Sequence, residues 1–428
     1  MAVDIQQIKN AGISQRVVDY IDSGVDADIK ESVLQDEAME DTINAISATE
    51  TVPEDAIEIT TDDNEAAAQI ESGSGKTFVL RGDLNFNRPL NIPDDITIYV
   101  DGTISKFGNH TPERVDDENN GNLADAVFRV DNKSNVKLIG VDNAKLVSNF
   151  RGTGVYIEGS DNVEVRGFDI GNVWEGVVAH EGSSNVKILN NYIHDVGKRA
   201  IWTLGSEKVE AAHNFIENAG ADGFDWDARS TASVAYENVV VGWRRWAGFV
   251  EEGAQDSYFA KNLGIMAEFE YTHPEPEVVP DTIFTSGWAD NGTSPRPPRL
   301  NENNYFIGNT MFRPSGYTRS RSGGGYFAKR NQQGKGTTFF WGNKGNVGDA
   351  RNSNGNTPDS AENPNDLWYN AQIESTIPEQ GQSDLNRFEN LFPVLGSSDS
   401  DLPTLSTDSL LVSEPTEDAF IPTSESFL

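Results

Sequence analysis

The chain has 428 residues, with 68 acidic side chains against 33 basic ones and a formal net charge of −35. That balance excludes a nucleic-acid surface and a docking site for anionic membranes, because both need basic patches. There are no cysteines, which excludes disulfides and thiolate metal sites, and no stretch approaches the ~18 apolar residues of a membrane-spanning helix.

So acidic a surface suits a salty setting, halophilic or marine, where counter-ions screen self-repulsion. The start, MAVDIQQIKN, has neither a basic region nor an apolar run. An extracellular or cell-surface protein is expected, exported by a non-Sec route or with its leader outside this sequence.

Residues 1–70 read as a polar, helical segment or cap. Ile5, Ile8, Ile13, Val17, Val18 and Ile21 follow a rough helical spacing, and a second helical stretch, ADIKESVLQDEAMEDTINAIS, follows. The segment is expected to cover the first coil of what comes next, hiding its strand edges.

From residue 71 to 345 short β-prone runs alternate with Gly, Asn, Asp and Pro. A repeat organises them. SNVKLIG, DNVEVRG, SNVKILN and EKVEAAH begin successive units, and Val163, Val186 and Val209 stand 23 residues apart. Asn191, Asn214, Asn238 and Asn262 form a second column, and Val177, Ile201, Phe224 and Phe249 a third. Three short strands per repeat predict an all-β fold, a right-handed parallel β-helix, in which equivalent residues stack from coil to coil. The asparagines then form an amide ladder at a turn. The repeat blurs in a long insertion at about 265–300, rich in Pro, Gly and aromatics. Residues 346–428 read as an irregular region ending in a polar tail.

Strand alternation turns the third column into a candidate site. With Phe224 and Phe249 inward, Val178, Trp202, Asp225 and Val250 form one outward column. His180, Leu204, Asp227 and Glu252 form another. Coils about 4.8 Å apart would put Asp225, Asp227 and Glu252 together, with His180 roughly 10 Å from Asp227. Lys198 and Arg199 precede the Trp202 strand, and GWRRWAG sets Trp243, Arg244, Arg245 and Trp246 before the Glu252 strand. The catalytic candidates are therefore Asp225, Asp227, His180, Lys198, Arg199 and Glu252. Trp202, Arg244, Arg245, Trp246 and Trp226 are candidate substrate contacts, since indoles stack on sugars and guanidiniums pair with carboxylates. Asp225, Asp227 and Glu252 are also a candidate calcium site. His110, His194, His213 and His273 are dispersed and lack H-x-x-x-H spacing.

These repeats resemble the pectin-lyase-like right-handed β-helix superfamily of polysaccharide lyases, polysaccharide hydrolases, mannuronan epimerases and phage tailspikes. PLNIPDDITIYVDGTI resembles its entry coil. More narrowly, DGFDWDARS resembles the YGFDPHD-type strand of alginate epimerases and related lyases. On that match Asp225 takes the catalytic aspartate's position, while Asp222 stands for the tyrosine, Trp226 for the proline and Asp227 for the histidine. The G-H-G with R-x-K signature of pectin hydrolases is absent, as are G-G-x-G-x-D calcium repeats.

The leading expectation is a lyase that cleaves a uronic-acid polymer, alginate- or pectate-like, by β-elimination. Arg199, Arg245 or calcium would neutralise the uronate, and Lys198 or His180 would remove the C5 proton. One rival is a glycoside hydrolase that uses Asp225, Asp227 and Glu252. The other is a tailspike or adhesin. The expected partner is an acidic polysaccharide, and the expected state a monomer, or a trimer for a tailspike.

Overall fold

The computed structural model describes residues 3–106 and 125–269, apart from Asn143 and Arg151, and short segments beyond: 282–286, 301, 303–315, 317, 327–328, 338–345 and 371–374. The expected insertion at 265–300 and the region from 346 onward lie mostly outside the described residues.

Among the described residues the strands form three stacks of twelve, ten and nine strands, here sheets I, II and III. Each coil visits them in that order. Ser184–Leu189 lies in sheet I, Tyr192–Val196 in sheet II and Ile201–Leu204 in sheet III, before Glu207–Ala212 returns to sheet I. The ladder between successive coils is parallel throughout, with Val163, Val186 and Val209 facing one another. The valine, isoleucine and phenylalanine columns fill one continuous interior. A strand cannot bury that face alone, so stacking is what makes the sequence fold.

The asparagine column is an amide ladder. Asn191 Nδ2 donates to Asn214 Oδ1 at 3.0 Å, Asn214 to Asn238 at 3.0 Å, and Asn238 to Asn262 at 2.9 Å. It continues through Asn309 to Asn343. Each amide also donates to a backbone carbonyl of the preceding coil, as Asn238 does to Ala211 at 2.9 Å. The residue just before each rung, such as Asn190, His213 or Glu237, is left-handed, which closes the tight turn from sheet I to sheet II.

Only the last helix of the N-terminal segment serves as the expected cap; its first four lie elsewhere. Helices α1 (Ile5–Asn10), α2 (Gln15–Asp19), α3 (Ala27–Leu34) and α4 (Glu37–Ile46) lie along the outer face of sheet II, at mid-stack. Their Ile8, Val17, Val33 and Ile43, with Ile21 of the π-helical turn Tyr20–Gly24 that follows α2, pack on Tyr192, Phe215, Val239 and Leu263. That outward column of sheet II is apolar, and covering it removes it from water. A polar clamp fixes the contact: Ser14 Oγ and the Arg16 guanidinium both donate to Glu217, which also accepts from the Tyr192 hydroxyl. The first coil is covered instead by helix α5 (Asn64–Glu71), whose Ala66, Ala67 and Ile70 join the interior beside Phe78 and Leu90.

Candidate functional site

The site lies on the outward face of sheet III. Along the strand Asp222–Asp227, Phe224 and Trp226 point into the interior and Asp225 and Asp227 point out. Val177, Ile201 and Phe224 stack as expected, but the next residue in that column is Gly248 rather than Phe249. Asp225 therefore faces Phe249, and Trp226 faces Val250. The cause is packing. Phe224, Trp226 and Phe259 already crowd the interior, with ring centroids 5.5–6.2 Å apart, and another ring inside would overfill it. Phe249 turns outward instead, against Trp246 at 3.8 Å.

This one-residue slip replaces Glu252 with Glu251. Carboxylate oxygens of Asp225, Asp227 and Glu251 all lie within 4.8 Å of one another. Glu252 is exposed and left-handed at φ 49°, and contributes its carbonyl to the Arg229 N–H at 3.0 Å. Beyond Asp227, Ala228 and Arg229 are also left-handed, at φ 43° and 73°, a conformation that costs a side-chain-bearing residue energy. The Ala228 N–H donates to Asp227 Oδ1 at 2.6 Å.

Two guanidiniums bind this cluster. Arg199 is 2% exposed, and its Nε donates to Asp225 Oδ2 at 2.7 Å. Its backbone N–H donates to Glu175 Oε2 at 2.7 Å, and its face lies 3.9 Å from the centre of the Trp202 ring. Arg245 clasps Asp222 through Nε at 2.9 and 3.0 Å, and reaches Asp225 Oδ2 at 3.2 Å. The underlying order is a stacked column: Glu175, Arg199 and Asp222 occupy equivalent places on consecutive coils, so acid, base and acid alternate along the axis. Trp202 Nε1 donates to Asp227 Oδ2 at 3.2 Å.

Two guanidiniums thus serve five buried carboxyl groups: Glu175, Asp222, Asp225, Asp227 and Glu251. Burial penalises the charged form, and the neighbouring acids add repulsion. Burial above all, then Asp227 and Asp222, pushes Asp225 up to about 8 against the pull of Arg199 and Arg245. Burial and Glu252 push Asp227 up to about 6. Glu251 is raised well above the usual carboxylate range by burial, Asp225 and Asp227. Asp225 Oδ1 and Glu251 Oε2 are buried and have no hydrogen-bond partner.

The other expected site residues fall around this cluster. Lys198 lies 6.0 Å from the centre of the Trp202 ring. His180 sits two coils back, with Nδ1 3.3 Å from Glu158 Oε1 and Nε2 buried without a partner. Trp246 is 2% exposed beneath Arg245, and its backbone N–H donates to Asp222 Oδ1 at 3.1 Å. Arg244 is half-buried in the same turn, its backbone N–H bonded to Ala219 and Ala221. Trp226 is 0% exposed in the interior, so it is a core residue and no substrate contact. Sequence reasoning misses Glu175, reads Asp222 only as the tyrosine's stand-in, and leaves Glu251 outside the site. The acid–base–acid alternation of Glu175, Arg199 and Asp222 was the signal that could have found the first two.

A sequence model described as "Right handed beta helix region" matches residues 122–258. No curated protein matches the chain. Among solved structures, an alginate lyase from Paenibacillus sp. str. FPU-7 is similar at 16% identity and a TM-score of 0.49, over 69% of this chain and 97% of that one. A polygalacturonase from Erwinia carotovora ssp. carotovora aligns at 11% identity and 0.45, over 77% and 97%. A tailspike of E. coli bacteriophage HK620 aligns at 12% and 0.43, over 67% and 58%. Coil order, parallel ladders and the matching sequence model agree: the chain folds as a right-handed parallel β-helix.

Proposed function

We propose that this chain cleaves a polysaccharide by glycoside hydrolysis at Asp225 and Asp227, with Glu251 beside them. One observation carries the reading: three outward carboxyl groups lie within 4.8 Å of one another, and Asp225 has one oxygen held by two guanidiniums and the other unpartnered. Because Oδ2 accepts both guanidinium bonds, the proton of the neutral acid belongs on Oδ1, the oxygen without a partner. An acid pushed up to about 8 keeps that proton at neutral pH, while a neighbour at about 6 is ionised. Such a split pair assigns Asp225 as general acid and Asp227 as base or nucleophile. The arginines argue the same way. Arg199 and Arg245 are spent on Glu175, Asp222 and Asp225, so neither is free to neutralise a uronate.

β-Elimination is the second reading, and the orphaned oxygens favour it. Asp225 Oδ1 and Glu251 Oε2, with Asp227, fit a hard divalent cation such as calcium, which takes oxygen ligands. When bound, it would neutralise a substrate carboxylate; His180, oriented by Glu158, or Lys198 would accept the C5 proton. A panel of neutral and uronic glycans, with and without EDTA, separates the readings. Cleavage of a neutral glycan that survives EDTA supports hydrolysis, and EDTA-sensitive cleavage restricted to uronates refutes it.

A further inference from the structure

Next to the carboxyl cluster, an open groove of about 430 Å³ crosses three consecutive coils where sheet III hands over to sheet I. Its walls come from Glu181–Ser184, Gly205–Glu207, Ala228, Arg229 and Thr231. The coils are in register there, with Ser184 facing Glu207 and Glu207 facing Thr231. Glu181 directly follows His180, and Ala228 directly follows Asp227. The left-handed pair Ala228 and Arg229 turns the chain from the cluster into the groove wall. The groove therefore begins where the outward columns of the candidate site end.

The lining is polar and acidic. The buried hydroxyls of Ser183 and Ser206 face inward, to Ile157 O at 3.3 Å and Ala179 O at 2.8 Å. Exposed Glu181 and Glu207, with half-buried Thr231 and Arg229, make the mouth. The Glu207 carboxylate and Thr231 hydroxyl hold no hydrogen bond or ion pair among the described residues. A carboxylate accepts hydroxyl protons well and repels another carboxylate. The in-register column Ser184, Glu207 and Thr231 sets one oxygen-bearing side chain about every 4.8 Å along the axis, so a linear ligand meets a polar group at each step.

We propose that this groove is a subsite for a neutral, hydroxyl-rich glycan lying parallel to the coil axis and leading to Asp227. The proposal rests on the hydrolytic reading and names its substrate class. A polyanion would meet Glu181 and Glu207 against the single Arg229, beside five buried carboxyl groups and on a chain of net charge −35. Such a field excludes like-charged ligands.

The test is calorimetric titration of the full chain with hexasaccharides of glucose, mannose and xylose, and with hexamers of mannuronate, guluronate and galacturonate. The groove variants are Glu207→Gln, at the exposed start of its sheet I strand, and Thr231→Val, in the bridge beside it, with melting curves as the folding check. A neutral hexamer should bind, each variant should raise its Kd about tenfold, and added salt should change that binding little. Oligouronate binding as tight as neutral binding, unchanged affinity in both variants, or no neutral hexamer bound would each overturn the proposal. Failures of the two readings are separable. Groove-dependent binding without release of reducing ends refutes the cleavage reading and keeps the subsite. Cleavage of a neutral glycan with an unchanged KM in both variants refutes the subsite and keeps the cleavage.

Discussion

Asp225 accepts a 2.7 Å hydrogen bond from Nε of the buried Arg199, whose backbone N–H in turn is bonded to Glu175. Removing this guanidinium leaves two buried carboxyl groups short of their cation. Arg199→Met is expected to cost about 3–5 kcal/mol in urea unfolding, the range for breaking a buried ion pair. Adding Glu175→Gln to that variant should recover part of the loss, because it removes a buried carboxyl group left without its guanidinium. Equal stability of Arg199→Met and wild type would remove Arg199 from its structural role.

The paired carboxyl groups set a pH window for activity. Asp227 must be ionised and Asp225 protonated, so kcat/KM should fall below about 6 and above about 8. Those two values belong to the coupled cluster rather than to either side chain alone. A rate that keeps rising to pH 10 would exclude a carboxylic acid as proton donor.

His194 makes a separate contribution to stability. Its ring lies between Asp169 Oδ1 at 2.8 Å and Asp195 Oδ2 at 3.0 Å, and Lys145 and Arg16 also contact these acids. Despite burial, hydrogen bonds and charge from both aspartates raise its pKa from 6.5 to about 9. A raised histidine stabilises the fold fully below pH 6.5, and the effect is lost as pH rises through about 9. His194→Gln should therefore lose about 3 kcal/mol at pH 6 and converge with wild type above pH 9.5. A stability difference independent of pH would contradict the ion pairs.

In the amide ladder, Asn238 is both donor and acceptor. Asn238→Ala strips the Asn214 amide and backbone N–H of their acceptor and Ala211 O of its donor. About 3 kcal/mol should be lost, at about 1–3 kcal/mol for each buried group left unsatisfied. The same change at Asn343, half-buried toward the end of the described ladder, should cost no more than about 1 kcal/mol by thermal or urea unfolding. Equal losses at both positions would mean that burial does not govern the ladder.

Periodicity made the fold legible. The valine and asparagine columns repeat at 23 or 24 residues, and stacked coils demand such constancy, so the ladder could be read before any geometry. Coil length also varies by one residue, and a strand has a period of two. The spacing of 25 from Phe224 to Phe249 carried the slip that moves Glu251 into the cluster, but interior volume around Trp226 decided it, and no pattern states volume. The helices α1–α4 were legible as amphipathic segments. Their docking face lay in another column, the apolar Tyr192, Phe215, Val239 and Leu263 on the outside of sheet II, far away in sequence.

The chemistry of the product tests the central claim most directly. The glycan that the protein cleaves should be digested in ¹⁸O-labelled water by wild type, Asp225→Asn and Asp227→Asn, with each product read by mass spectrometry and ultraviolet absorbance. Hydrolysis predicts one labelled oxygen per bond cleaved, carried by the new reducing end, no absorbance from a conjugated double bond, and a loss of about 100-fold or more in rate for either variant. An unsaturated product without label, or full activity in both variants, would contradict the account.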